Sequence, residues 1–195
     1  MRLILASSSP RRRELLRQAG FDFEVCPSDI AEEIQQDELP EEFARRAARE
    51  KALCVAGAAP PGSLVLGADT VVAIDGQTLG KPSDGNDAAR MLRLLSGRTH
   101  KVYTGVCVVR APSEVVSFKH ETTLVTFRSL DEDEIRRYVA SGEPMDKAGA
   151  YAVQGLASNF VTRISGCYSN VVGLPIALVY DILKRLMTEE GSIPL

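Results

Sequence analysis

Short apolar runs alternate with stripes of helical period along this chain. Leu3-Ile4-Leu5, followed by Ser7-Ser8-Ser9-Pro10 and a charged-apolar mixture, predicts a buried strand, a tight loop and a helix. Ser9 is its expected N-cap and Pro10 its first residue. Phe21 to Val25 alternates like a strand and stops at Pro27-Ser28-Asp29. Pro40 to Ala58 has the period of a long helix with Gly57 near its end. Leu64 to Ile74, the most apolar stretch, reads as a central strand, and Asp75-Gly76 as a two-residue hairpin turn that sets Ile74 opposite Gln77. Asp84 to Leu95 carries a core stripe of Ala88, Met91, Leu92 and Leu95. Lys101 to Arg110 and Val115 to Phe127 are two long strands, and Ser129-Leu130-Asp131-Glu132 is read as a capping box for a helix ending near Gly142. Residues 142–155 are too broken for helix or strand in their first half. Val161 to Ile164 is a strand, Val171 to Pro175 leads into a last helix reaching Met187, and Thr188 to Leu195 is expected to fray. This order of elements is that of an α/β protein.

Four residues break the pattern. At about 100° per residue, Arg12 falls between Leu15 and Leu16 in projection, so it points inward, toward an anion at the helix start or as an ordinary solvated arginine at its edge. Lys51 lies about 80° from Phe43, inside the apolar sector of its helix, where an ammonium either snorkels or meets an anion. Asp69 sits in the middle of the oiliest strand. A buried carboxylate there needs a cation, a metal or several donors, or else caps a neighbouring turn. Gly67, two residues earlier, is expected to leave room for a ligand. Counting outward from the hairpin sets Lys81 opposite Thr70, with Gly80 and Pro82 leaving the register open.

Composition narrows the partners. The 195 residues carry 23 Lys and Arg against 26 Asp and Glu, a net charge of -3, which does not suit a nucleic-acid binder. Cys26, Cys54, Cys107 and Cys167 have neither zinc-ribbon nor dithiol spacing, and His100 and His120 stand without metal spacing and read as incidental. With no run long enough for a signal peptide or a membrane span, a cytosolic location is expected. One domain is the default for this length.

The out-of-pattern residues form a chemical set. Ser7, Ser9 and the free amides of the first helix offer an anion site, and Arg12, Lys51 and Lys81 gather cations around one acid, Asp69. A nucleoside triphosphate, with about four negative charges, fits that set better than a carboxylate metabolite, and Mg²⁺ would join it to the acid. The Walker loop and Gly-x-Gly-x-x-Gly are absent. Glu32 is unremarkable by pattern, and Gln154 can serve a base edge or tie the backbone.

Ser7-Ser8-Ser9-Pro10-Arg11-Arg12, Gly67-Ala68-Asp69-Thr70, Lys81-Pro82, Ser96-Gly97-Arg98-Thr99-His100, the run from Gly142 to Tyr151, and Asn170-Val171-Val172-Gly173-Leu174-Pro175 together resemble the Maf family. The resemblance implies an elongated mixed β-sheet with flanking helices, two lobes around a central cleft, similar to the inosine triphosphate pyrophosphatases, in one domain over residues 1–195. It implies a cytoplasmic nucleoside triphosphate pyrophosphatase that uses a divalent cation, Mg or Mn, and assembles as homodimers. By position, Asp69 would accept the proton and Glu32, or Glu33 beside it, would support the metal with Asp69. Lys51 and Lys81 would hold phosphate, while Arg12, Thr70 and Gln154 would set base choice in the dTTP and UTP branch. Cleavage of 7-methyl-GTP, or nucleotide binding that regulates septum formation without catalysis, are the alternatives.

Overall fold

A computed structural model describes residues 2–30 and 33–189. A seven-stranded mixed sheet runs through the molecule in the order β2-β1-β3-β5-β6-β7, with β4 paired to β3. The strands are β1 (Leu3–Leu5), β2 (Glu24–Val25), β3 (Leu64–Ile74), β4 (Gln77–Leu79), β5 (Thr99–Arg110), β6 (Glu114–Phe127) and β7 (Val161–Ser165). The helices are α1 (Pro10–Gln18), α2 (Pro40–Ala56), α3 (Gly85–Leu95), α4 (Glu132–Ala140), α5 (Tyr168–Val172) and α6 (Ile176–Glu189). A strap of short 3₁₀ turns links α4 to β7.

The two faces of the sheet are covered differently, because side chains alternate along each strand. Odd-numbered positions of β3 and β5 face α2. Its Ala48, Ala52, Val55 and Ala56 pack on Val65, Cys107 and Val109, and its Phe43, Ala44 and Ala47 on Val71, Ala73 and Tyr103. Even-numbered positions meet two separate cores. Leu64, Leu66, Ala68, Val106 and Val108 pack with Leu16 of α1 and Val179, Ile182, Leu183 and Leu186 of α6. Val72, Ile74 and Val102 pack with α3, α4 and the strap.

Several boundaries differ from expectation. The strand foreseen over Phe21 to Val25 shrinks to two exposed residues on the sheet edge, where little apolar surface rewards pairing. The capping box starts at Asp131: Glu134 N–H donates to Asp131 Oδ1 at 2.8 Å, and Asp131 N–H returns to Glu134 Oε2 at 3.1 Å. Cys54 is exposed, although a helical projection of α2 sets it beside Phe43. The five-residue helix α5 was not foreseen, being too short to show a period. The expected fraying concerns a tail that, past Glu189, lies outside the described residues.

Candidate active site

The cleft begins with a gap in a sheet edge. β5 pairs with β3 from Leu64 to Ala73, so β1 and β4 share the other edge, β1 at Leu64–Leu66 and β4 at Val72–Ile74. Between them, on the edge away from β5, residues 67–71 have no strand neighbour among the described residues. The chain leaving β1 at Ala6 turns away there through Ser7-Ser8-Ser9 into α1, which opens a cleft of about 750 Å³ beside Asp69 and Thr70.

Asp69 lies on the α2 face, in register with Gly105 of β5. A Cβ at Gly67 would collide with the Ala48 carbonyl, and one at Gly105 with the Ala44 carbonyl. The missing side chains therefore let the α2 backbone rest on the strands. Gly67 makes room for a helix, and the expectation that it clears space for a ligand is corrected. The close approach delivers Lys51, whose Nζ stands 2.5 Å from Asp69 Oδ1, with Asp69 4% and Lys51 6% exposed. The lysine that projection placed in an apolar sector is thus inward and meets an anion supplied by the protein. Removing one member of such a pair strands the other charge, at a cost of about 3–5 kcal/mol.

Thr70 points to the opposite face. Arg12 Nη2 donates to Thr70 Oγ1 at 3.2 Å, Arg12 Nη1 to Ser7 Oγ at 3.2 Å and Arg12 Nε to the Gly173 carbonyl at 2.8 Å. Thr70 and Thr104 hydroxyls share a hydrogen bond of 2.9 Å, and Thr104 Oγ1 donates to the Asn170 carbonyl at 3.1 Å. Arg12 is inward as predicted. Ser9 caps α1, accepting from Arg12 N–H at 3.4 Å, while its own N–H donates to Ser7 Oγ at 3.2 Å.

Ser7, Ser9, Arg12, Lys51, Asp69, Thr70, Lys81 and Gln154 all line this one cleft. Lys81 reaches it by a route other than the register count. The ladder between β3 and β4 ends at Leu79, and the chain then turns through Gly80, so no pairing sets Lys81 opposite Thr70. The hairpin itself has the expected register and left-handed Asp75 and Gly76. Glu32 lies outside the described residues, and its neighbour Glu33 is exposed with its carbonyl accepting from Arg46 at 2.8 Å.

Sequence reasoning passed over Arg11, Asp146, Lys147 and Tyr151, which also line the cleft. Lys147 Nζ donates to Asp146 Oδ1 at 2.5 Å and to the Glu143 carbonyl at 2.6 Å. That bond holds the Asp146 carboxyl below the usual carboxylate range, against some burial and with help from Arg11. Arg11 and the run from Gly142 to Tyr151 stand in the stretches that resemble the Maf family, but no role was read for these four residues. The described lining thus combines five Lys and Arg side chains with two carboxylates, serine and threonine hydroxyls and an amide. Its oxygen donors are hard, which suits Mg²⁺ or Mn²⁺. Among the described residues, no three of His, Cys, Asp and Glu stand close enough to form a metal cage on their own.

An α/β sheet broken at one edge, whose cleft is lined by a helix start, five cationic side chains and a buried acid, has the chemistry to hold a polyanion. The family model for Maf-like proteins matches residues 2–186, and the chain belongs to the Maf family. It is 53% identical over 183 residues to a protein of Pelotomaculum thermopropionicum named dTTP/UTP pyrophosphatase, covering 94% of this chain and 95% of that one. Relatives of the same name from Koribacter versatilis and Geobacter sulfurreducens are 52% and 51% identical over 185 residues, each covering 95% of this chain and 94% and 96% of their own. No helix among the described residues is long and apolar enough to cross a membrane.

Proposed function

We propose that this protein hydrolyses dTTP and UTP to the monophosphate and pyrophosphate. The observation that carries the reading is Asp69, a carboxylate buried in an apolar strand yet lining a cleft rich in cations. The names of relatives about half identical along nearly the whole chain support the pyrimidine substrates.

In this reading the triphosphate lies across the gap in β3, and cleavage falls between its α and β phosphates. The amides at the start of α1, with Arg11, Arg12, Lys81 and Lys147 around the cleft, offset the phosphate charge as it grows on the leaving pyrophosphate. Asp69 accepts the proton of the attacking water, and Lys51 fixes its orientation. Asp69 and Glu32 would hold a divalent cation, Mg²⁺ or Mn²⁺, which supplies Lewis-acid polarisation of a phosphoryl oxygen. Thr70, oriented by Arg12 and Thr104, and Gln154, with both a donor and an acceptor, meet the pyrimidine edge. The protein works as one domain whose two lobes flank the cleft, as a homodimer, in the cytoplasm.

The test is pyrophosphate release from a panel of nucleotides with Mg²⁺ or Mn²⁺, comparing kcat/KM for dTTP, UTP and 7-methyl-GTP. Preference for the two pyrimidines supports the reading. Preference for 7-methyl-GTP overturns the substrate, and no release from any triphosphate overturns the enzyme. Sedimentation of the same preparation decides the homodimer.

A further inference from the structure

His100 has no metal spacing and no contact with the cleft, yet it is 1% exposed in the core behind it. Its Nε2 lies 2.8 Å from the Tyr151 hydroxyl, and the two rings with Phe127 form an edge-to-face cluster at centroid distances of 5.0, 5.4 and 4.8 Å. Tyr151 lines the cleft with Val72 and Val102 while its hydroxyl is committed to the core.

Tyr151 also ends the tightest part of the strap. Gly149 and Ala150 both have left-handed backbones, at φ of 67° and 59°, and the second is an alanine, for which that conformation is strained. A Cβ on Gly149 would press on Val72 at 2.8 Å, and Gly149 N–H donates to the Gly80 carbonyl at 3.0 Å. Strain of this kind persists only where neighbours over-determine it. On one side of it lie Asp146 and Lys147, on the other Gln154, all facing the cleft.

We propose that His100 is a positioning residue: through its hydrogen bond to Tyr151 it clamps the strained strap and so presents Asp146, Lys147 and Gln154 to the nucleotide. The inference rests on the proposed nucleotide-binding reading of the cleft for its kinetic consequence and on geometry alone for its structural one. Tyr151→Phe removes one oxygen, keeps the ring in the wall and leaves His100 without its partner.

The experiment compares wild type, Tyr151→Phe, His100→Gln and the double variant by KM and kcat for UTP and by amide hydrogen exchange in the full chain. The expected result for Tyr151→Phe is a kcat/KM lowered about tenfold, with KM raised and kcat lowered as Gln154 and Lys147 are both misplaced, and exchange about tenfold faster over residues 147–155 with β3 and β5 unaffected. The double variant should be no worse than the worse single one. Unchanged strap exchange, acceleration spread evenly over the sheet, or additive effects would each overturn the clamp. If wild type releases no pyrophosphate, the functional reading fails by itself, and the exchange data still decide the clamp.

Discussion

Asp69 and Thr70 are adjacent in β3 and open on the same cleft, yet they are held in opposite ways. Asp69 faces α2 and is held by a charge, the Lys51 ammonium, brought close because two glycines let a helix lie on the strands. Thr70 faces α5 and is held by neutral partners and one guanidinium, in a chain running from the Gly173 carbonyl through Arg12 and Thr70 to Thr104 and Asn170. In the proposed reaction, one strand would thus present the chemical group on one face and the recognition group on the other. The alternation of a β-strand places the two groups against different helices, α2 and α5.

Asp69→Asn puts that separation to its hardest test. Turnover should fall at least a thousandfold while nucleotide binding persists, and unfolding in urea should show a loss of up to about 3–5 kcal/mol from breaking the buried pair. A near-normal rate in Asp69→Asn would remove the proposed proton acceptor.

The Thr70 face holds a titratable group of its own. Burial depresses His100 from 6.5 to about 4, so between those values the unfolded chain binds a proton that the folded one refuses. Stability from this group is intact above pH 6.5 and is lost as pH falls, by about 3 kcal/mol on reaching pH 4. Urea unfolding across that range should be flatter in His100→Gln than in wild type by that amount, the carboxylates being common to both.

Gly105→Ala tests the α2 face through packing alone. The new methyl should push α2 off the sheet, cost about 1–3 kcal/mol and lower kcat by drawing Lys51 away from Asp69. The gentlest change is Thr70→Val, which should cost about 1 kcal/mol of stability and raise KM for UTP and dTTP with kcat nearly kept. If it instead lowered kcat as much as Gly105→Ala, the two faces would not be separate.

Local chemistry made much of this legible beforehand. Ser9 and Pro10 announce the start of α1, Asp75-Gly76 announces the hairpin, and the position of Lys51 on its helical wheel announces that it turns inward, because each signal acts over a few residues. Gly67 was misread, since a glycine in a strand reports a close approach without naming what approaches. Lys81 was counted in the hairpin's true register, but the ladder stops at Leu79, the end that Gly80 and Pro82 had left open, so another path brings it to the cleft. Asp146, Lys147 and Tyr151 were passed over, for their strap has no period to read.

The sequence by itself determined which residues could not be ordinary: an acid in an oily strand, a lysine and an arginine on apolar arcs, a serine loop before a helix. Burial cost alone marks such residues, and that cost depends on residue type and local period. Only the tertiary structure decided their partners, Asp69 with Lys51 across 18 residues and Thr70 with Gly173 across 103. Such pairings depend on how closely α2 and α5 approach the sheet, a distance set by packing between segments far apart in the chain.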